Sequence, residues 1–189
     1  MIENPQYTGV FVGIPLPDVF IGDLVCVQDQ IVHVIPGLRI VKPKYAHLTV
    51  FRIGSLSNSE LIALEDSLRA FLTKNSFPDI TVKGLKGSNQ SRFLSLEAFP
   101  DDFLRGLRLK IVEDYSGKKV SFPKKSYPHL TLSTWIRKDT FNLILDKFEI
   151  IEDITSSVDW TFPIQEMAIY GKPLANPRVT TIIARVSAP

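Results

Sequence analysis

Two short segments of the chain repeat one order of side chains. Ala46-His47-Leu48-Thr49-Val50-Phe51 and Pro128-His129-Leu130-Thr131-Leu132-Ser133 both read His-apolar-Thr-apolar, with the histidines about 80 residues apart. Each is preceded by a proline and a tyrosine, Pro43 and Tyr45 before the first and Tyr127 and Pro128 before the second. Both segments read as strands, and strand side chains alternate between faces. His47 and Thr49 therefore point one way, as do His129 and Thr131, while Leu48, Val50, Leu130 and Leu132 supply an apolar back. If two such strands sit side by side, two imidazoles and two hydroxyls converge on one cleft.

The rest of the chain alternates strand and helix signals. Residues 8–16 are short, β-branched and followed by Pro17-Asp18, a buried strand. From Asp18, the positions of Phe20, Leu24, Val27 and Ile31 make a helical stripe. Residues 39–42 read as a short strand, and 46–53 as one ending at Gly54. Ser57 and Glu60 form a capping-box pattern ahead of the stripe Leu61, Leu64, Leu68, Phe71, Leu72. Residues 80–85 and 93–98 read as a hairpin across 86–90. Pro100-Asp101-Asp102 opens a helix with Phe103, Leu104, Leu107 and Ile111 on one side, closed by Ser116-Gly117. Residues 120–122 pair locally, Pro123 and Pro128 bracket a basic loop, and 129–135 is a strand. Asp139 caps a third amphipathic helix through Phe141, Ile144, Leu145 and Phe148, and 165–170 and 179–186 are the last strands. Hairpins mixed with helices favour α+β with antiparallel sheets over a doubly wound fold. At 189 residues, with no Gly/Ser-rich linker, the chain reads as one domain, or one domain built of two lobes, over 1–189.

Composition removes several classes. One cysteine, Cys26, excludes an internal disulfide framework and a multi-cysteine zinc or iron–sulfur site. Three histidines argue against a histidine-rich metal site. The net charge of +2 permits a short phosphate-bearing ligand without demanding one. No run of 18 apolar residues suggests a membrane span, and the first residues lack the features of a secretory signal. The expectation is a cytoplasmic protein, with the nucleus left open and no membrane partner.

The repeated pattern suits phosphodiester chemistry without a metal. An attacking oxygen must lose a proton and a leaving oxygen must gain one. Imidazole titrates near neutral pH, so one copy can serve as base and the other as acid. Threonine hydroxyls can donate to the non-bridging phosphate oxygens, where charge develops.

The paired motif resembles the two-histidine (2H) phosphoesterase superfamily, in its 2′-5′ RNA ligase and cyclic phosphodiesterase branch. The flanks agree: Val10 to Pro17 resembles the family's first strand, His47 to Gly54 its first motif, Tyr127 to Leu132 its second, and Glu166 to Tyr170 its C-terminal strand. The resemblance implies two pseudo-symmetric lobes, each an antiparallel sheet with helices on the outer side, and the active cleft between them. It implies His47 and His129 as the catalytic pair, Thr49 and Thr131 as phosphate ligands, and no metal or cofactor. The implied substrates are RNA ends, oligonucleotides or cyclic nucleotides carrying a 2′,3′-cyclic phosphate or a 2′-5′ linkage, handled by a monomer. Some relatives join RNA ends through a 2′-5′ bond, and a few bind nucleotides with little catalysis. One departure stands out. The family often has Arg or Lys three residues after the second motif's Ser/Thr, where this chain has Thr134; Arg52 sits at the matching offset of the first motif.

Other residues carry less specific signals. Phe51, Tyr127 and Tyr170 either stack a base or pack in the core. Lys124 and Lys125 either meet RNA phosphates or form a solvated loop, and Arg178 either contacts phosphate or is simply exposed. Trp135 shares the face of His129 by alternation. His33 reads as a surface or packing residue, and Cys26 as a core residue beside the helical stripe.

Overall fold

The alternating segments assemble into a single antiparallel sheet. In a computed structural model of the chain, which describes residues 4–85, 93–114, 128–133 and 138–187, the strands are β1 (Tyr7–Pro15), β2 (His47–Leu56), β3 (Ile80–Leu85), β4 (Ser95–Phe99), β5 (His129–Thr131), β6 (Asp159–Phe162), β7 (Glu166–Pro173) and β8 (Thr181–Ser187). Their order is β6-β3-β4-β5-β2-β1-β7-β8. Four strands on each side meet where β5 lies beside β2, the two strands that carry the repeat. These halves are the two lobes, and the register pair Leu48 opposite Leu130 joins them edge to edge.

Among the described residues five α-helices complete an α+β fold: α1 (Ile21–Val34), α2 (Asn58–Lys74), α3 (Asp101–Asp114), α4 (Lys138–Asp146) and α5 (Phe148–Ser156). The α2 stripe of Leu61, Leu64, Leu68, Phe71 and Leu72 is buried. Its N-terminus is closed by the expected capping box: Glu60 N–H donates to Ser57 Oγ at 3.3 Å, and Ser57 N–H donates to Glu60 Oε2 at 2.7 Å. Such a cap contributes about 1 kcal/mol. One sheet face packs on the helix stripes through Val12, Ile14, Leu48, Val82, Leu96 and Leu130, each no more than 2% exposed. The other face carries the polar members of the repeat. No helix among the described residues is long and apolar enough to cross a membrane.

Several local expectations change. Residues 39–42 form only an isolated bridge, Ile40 to Ser133. The third helix is two, because Lys147 leaves helical geometry (φ −111°, ψ 14°) between α4 and α5, and α4 begins before Asp139. Strand β6 was not expected from sequence. Its Asp-Trp-Thr-Phe alternates exposed and buried, but four residues are too few for a periodic signal to stand out. Cys26 is exposed, because it lies on the far side of α1 from Leu24. The buried polar position on that helix is Gln28, whose amide donates to the carbonyls of Val41 (2.9 Å) and Leu132 (3.2 Å). His33 is exposed. The 86–90 turn, Ser116-Gly117, 120–122, Pro123, Lys124, Lys125, Tyr127, Thr134 and Trp135 lie outside the described residues.

Candidate active site

The two copies of the repeat meet at the seam between the lobes. With Leu48 opposite Leu130 in an antiparallel pair, the register sets His47 beside Thr131 and Thr49 beside His129. Each imidazole thus neighbours the hydroxyl of the other copy, and a local two-fold axis passes between the two leucines. All four polar side chains are half-buried, while Leu48 and Leu130 are 2% and 0% exposed behind them. Burying a leucine contributes roughly 1.5–3 kcal/mol, so the strands are held from the rear, independently of the polar side chains.

Each copy is followed by a β-bulge. In β2, Gly13 pairs with Thr49 and Val12 with Phe51, which leaves Val50 as an extra residue. After β5, the N–H groups of Leu132 and Ser133 both donate to the carbonyl of Leu94, at 2.8 and 3.2 Å. A bulge advances the side-chain parity by one. Strict alternation would set Phe51 with His47 and Thr49. Instead Phe51 lies opposite Val12, packed in the core at 1% exposure, while it also borders the cavity. Arg52 takes the cleft position opposite Phe11 and is exposed.

His47 is held in a defined state. Its Nδ1 lies 2.7 Å from the carbonyl oxygen of Tyr45, which can only accept, so Nδ1 carries the proton. In the neutral ring Nε2 is then the free acceptor, and the Thr49 hydroxyl donates a hydrogen bond to it at 3.1 Å. Burial pushes the His47 pKa down to about 4, against the raising effect of the Tyr45 bond and with the charges of His129 and Arg52 adding to the fall. Near neutral pH this imidazole is an unprotonated base with its lone pair at the cleft.

An aromatic floor supports it. The His47 ring centroid is 4.9 Å from Phe11 and 4.5 Å from Tyr170, and Phe11 and Tyr170 stack at 4.9 Å and 3°. Tyr170 is 1% exposed, so it braces His47 from below and presents no face to a base. Burial also holds its phenol well above the ordinary range. Gly13 completes the floor. A Cβ there would lie 3.0 Å from the Leu48 carbonyl oxygen, 3.1 Å from His47 Cδ2 and 3.3 Å from Tyr170 Cε2.

The repeat opens on a cavity of about 410 Å³ bordered by His47, Thr49, His129 and Thr131 together with Phe11, Arg52, Arg108 and Thr180. No Asp or Glu borders it among the described residues, and two arginines do, so its field favours an anion. Arg178 is exposed in the β7–β8 connection and stays off the cavity wall, which that connection reaches through Thr180. Tyr127 lies outside the described residues. No group of three His, Cys, Asp or Glu converges to hold a metal ion among the described residues. Phe11, Gly13 and Arg108 escaped sequence reasoning, though a glycine inside a strand is a sign of close approach.

Comparison with protein-family models finds no match, and neither does comparison with curated proteins. Solved structures do match. E. coli LigT complexed with NADP+ superposes with a TM-score of 0.60 at 20% identity, over 97% of this chain and 99% of that one. TT0787 of Thermus thermophilus gives 0.65 at 20% identity, over 95% and 97%. The MHV ns2 PDE domain gives 0.57 at 16% identity, over 86% and 99%. This chain has their fold. Its two lobes, with the repeat at their seam, account for nearly the full length of each match.

The state of His47 has a consequence for stability. Its folded pKa of about 4 lies below the ordinary 6.5, so between these values the unfolded chain binds more protons than the folded one. Stability from the buried neutral ring is fully present above pH 6.5 and is lost as the pH falls toward 4, by up to roughly 3 kcal/mol. Urea unfolding at pH 7, 5.5 and 4 is expected to show this loss in the wild type and a smaller one in His47→Gln. Equal losses in both would place the acid sensitivity elsewhere.

Proposed function

We propose that the chain is a two-histidine phosphodiesterase. It hydrolyses 2′,3′-cyclic phosphate ends or 2′-5′ linkages of RNA and nucleotides, with His47 as general base and His129 as general acid. The observation that carries this reading is the crossed pairing of two imidazoles and two hydroxyls around one anion-favouring cavity. The shared fold supports it, and LigT has been solved with NADP+, 3′-AMP and ATP, all phosphate-bearing.

For a cyclic phosphate, water attacks phosphorus and His47 Nε2 takes its proton as the new P–O bond forms. The P–O bond to one ribose oxygen breaks, and the imidazolium of His129 delivers a proton to that oxygen. The product is a phosphomonoester, and the proton on His47 returns to solvent. The Thr49 and Thr131 hydroxyls donate to the non-bridging oxygens, Thr49 turning its proton away from His47 as that nitrogen is used. The reaction draws on no group beyond these four side chains and water. The same residues can run the reverse joining of RNA ends.

Incubation with nucleoside 2′,3′-cyclic phosphates and with a 2′-5′ dinucleotide in the presence of EDTA tests the proposal. Monoester formation or cleavage of the 2′-5′ bond, undiminished by EDTA, is expected. Activity that vanishes with chelator and returns with added metal would overturn the metal-free step. Nucleotide binding without turnover would make the chain a binding module, and joining of RNA ends without hydrolysis would make it a ligase.

A further inference from the structure

The two copies of the repeat are alike in sequence but not in their charged surroundings. On the open face of the second lobe, the register sets Asp159 opposite Lys83, Lys83 opposite Glu97, and Glu97 opposite His129. This row of alternating charge crosses β6, β3 and β4 and ends on the β5 histidine. Its members share one face. The intervening Trp160, Val82, Leu96 and Leu130 are at most 5% exposed on the other, while Thr81 and Thr161, two residues along the open face, join hydroxyls at 2.9 Å. Opposed residues of an antiparallel pair hold their Cβ atoms about 4.5–5.5 Å apart, within reach of a carboxylate for an imidazole. His47 has no counterpart to Glu97. Its β1 partner is Pro15, and its Nδ1 is committed to a backbone carbonyl.

We infer that Glu97 is a positioning residue for His129: its carboxylate orients the imidazole and keeps it protonated, which makes His129 the acid and leaves His47 the base. The catalytic consequence rests on the function proposed above; the charge state does not. Other groups act on His129 as well. Arg52 and Arg108 border the same cavity and disfavour the imidazolium, while His47, neutral near pH 7, adds no charge. Thr49, beside it on β2, is neutral. Lys83, on the far side of Glu97, competes for the carboxylate, yet its ammonium also lies over the Phe99 ring, 5.2 Å from the centroid. Glu97 is the residue directly opposed to His129 across β4 and β5, and interaction energy falls with separation.

An NMR titration of the three histidine Cε1 protons, assigned by single His→Gln variants, reads this directly in the full chain. His129 is expected to titrate above His47 in the wild type. Glu97→Gln, near-isosteric on a half-buried site, is expected to lower the His129 pKa by about one unit while His47 moves less. Glu97→Asp should restore part of the difference, which a packing role for Glu97 would not produce. An unchanged His129 pKa in Glu97→Gln, or a wild-type His129 that titrates below His47, overturns the inference. Where turnover is measurable, the alkaline limb of kcat/KM should move to lower pH in Glu97→Gln. Failure of every substrate would defeat the proposed function and leave the titration to decide Glu97 alone.

Discussion

His47→Ala is expected to lower kcat/KM by about 10²- to 10⁴-fold, and His129→Ala by a similar factor, because each removes one partner of a single proton-transfer sequence. The double variant should fall little further, since a base without its acid has little left to accelerate. Thr49→Ala or Thr131→Ala should cost less, on the order of 1.5–3 kcal/mol in transition-state stabilisation for a lost hydrogen bond to charged phosphate. All four variants should stay folded, as the apolar backs of Leu48 and Leu130 are untouched. The wild-type rate should be bell-shaped in pH with limbs that belong to the coupled pair. His33→Ala is the control: its side chain is exposed on α1, away from the cavity. If it abolished turnover while His47→Ala did not, the site would be misassigned.

The second large effect is expected at a residue that carries no chemistry. Gly13→Val should damage both activity and stability. Even a methyl at position 13 lies within 3.0–3.3 Å of the Leu48 carbonyl, the His47 ring and Tyr170. The two γ-carbons of valine must displace one of them. The carbonyl belongs to the seam pair, and Tyr170 is buried to 1%, so the half-buried imidazole is the part that gives way. A shift of about 1 Å at a catalytic group can cost on the order of 10²-fold, and overpacking of this kind costs about 1–3 kcal/mol. Gly13→Ala should fall between valine and wild type. Gly22→Ala in α1, where an added Cβ meets nothing within 4 Å, should leave activity unchanged. Wild-type kinetics in Gly13→Val, measured beside its urea midpoint, would show that the floor under His47 is soft.

Much of the fold was legible because its signals are local. The α2 stripe and its Ser57–Glu60 cap depend on residues three and four apart, and both appear as expected. The antiparallel α+β architecture followed from strands and helices alternating at short range. What went wrong was short or parity-dependent: four-residue β6, the break at Lys147, and the outward turn of Cys26 on a helix whose buried side holds Gln28.

The site divides along the same line. His47, Thr49, His129 and Thr131 came from sequence alone, because a regular strand's period of two sends residues i and i+2 to one face, and both bulges fall after these pairs. Three things required the tertiary structure. The bulge at Val50 sends Phe51 to the core and Arg52 to the cleft, and a bulge is defined only against a partner strand. Tyr170 and Gly13 become the floor under His47 because β7, far along the chain, pairs with β1. The charge row ending at His129 needs β6, β3 and β4 in register. Local periodicity chooses which side chains share a face; pairing between distant strands chooses their neighbours, and burial among those neighbours is what pushes the His47 pKa down.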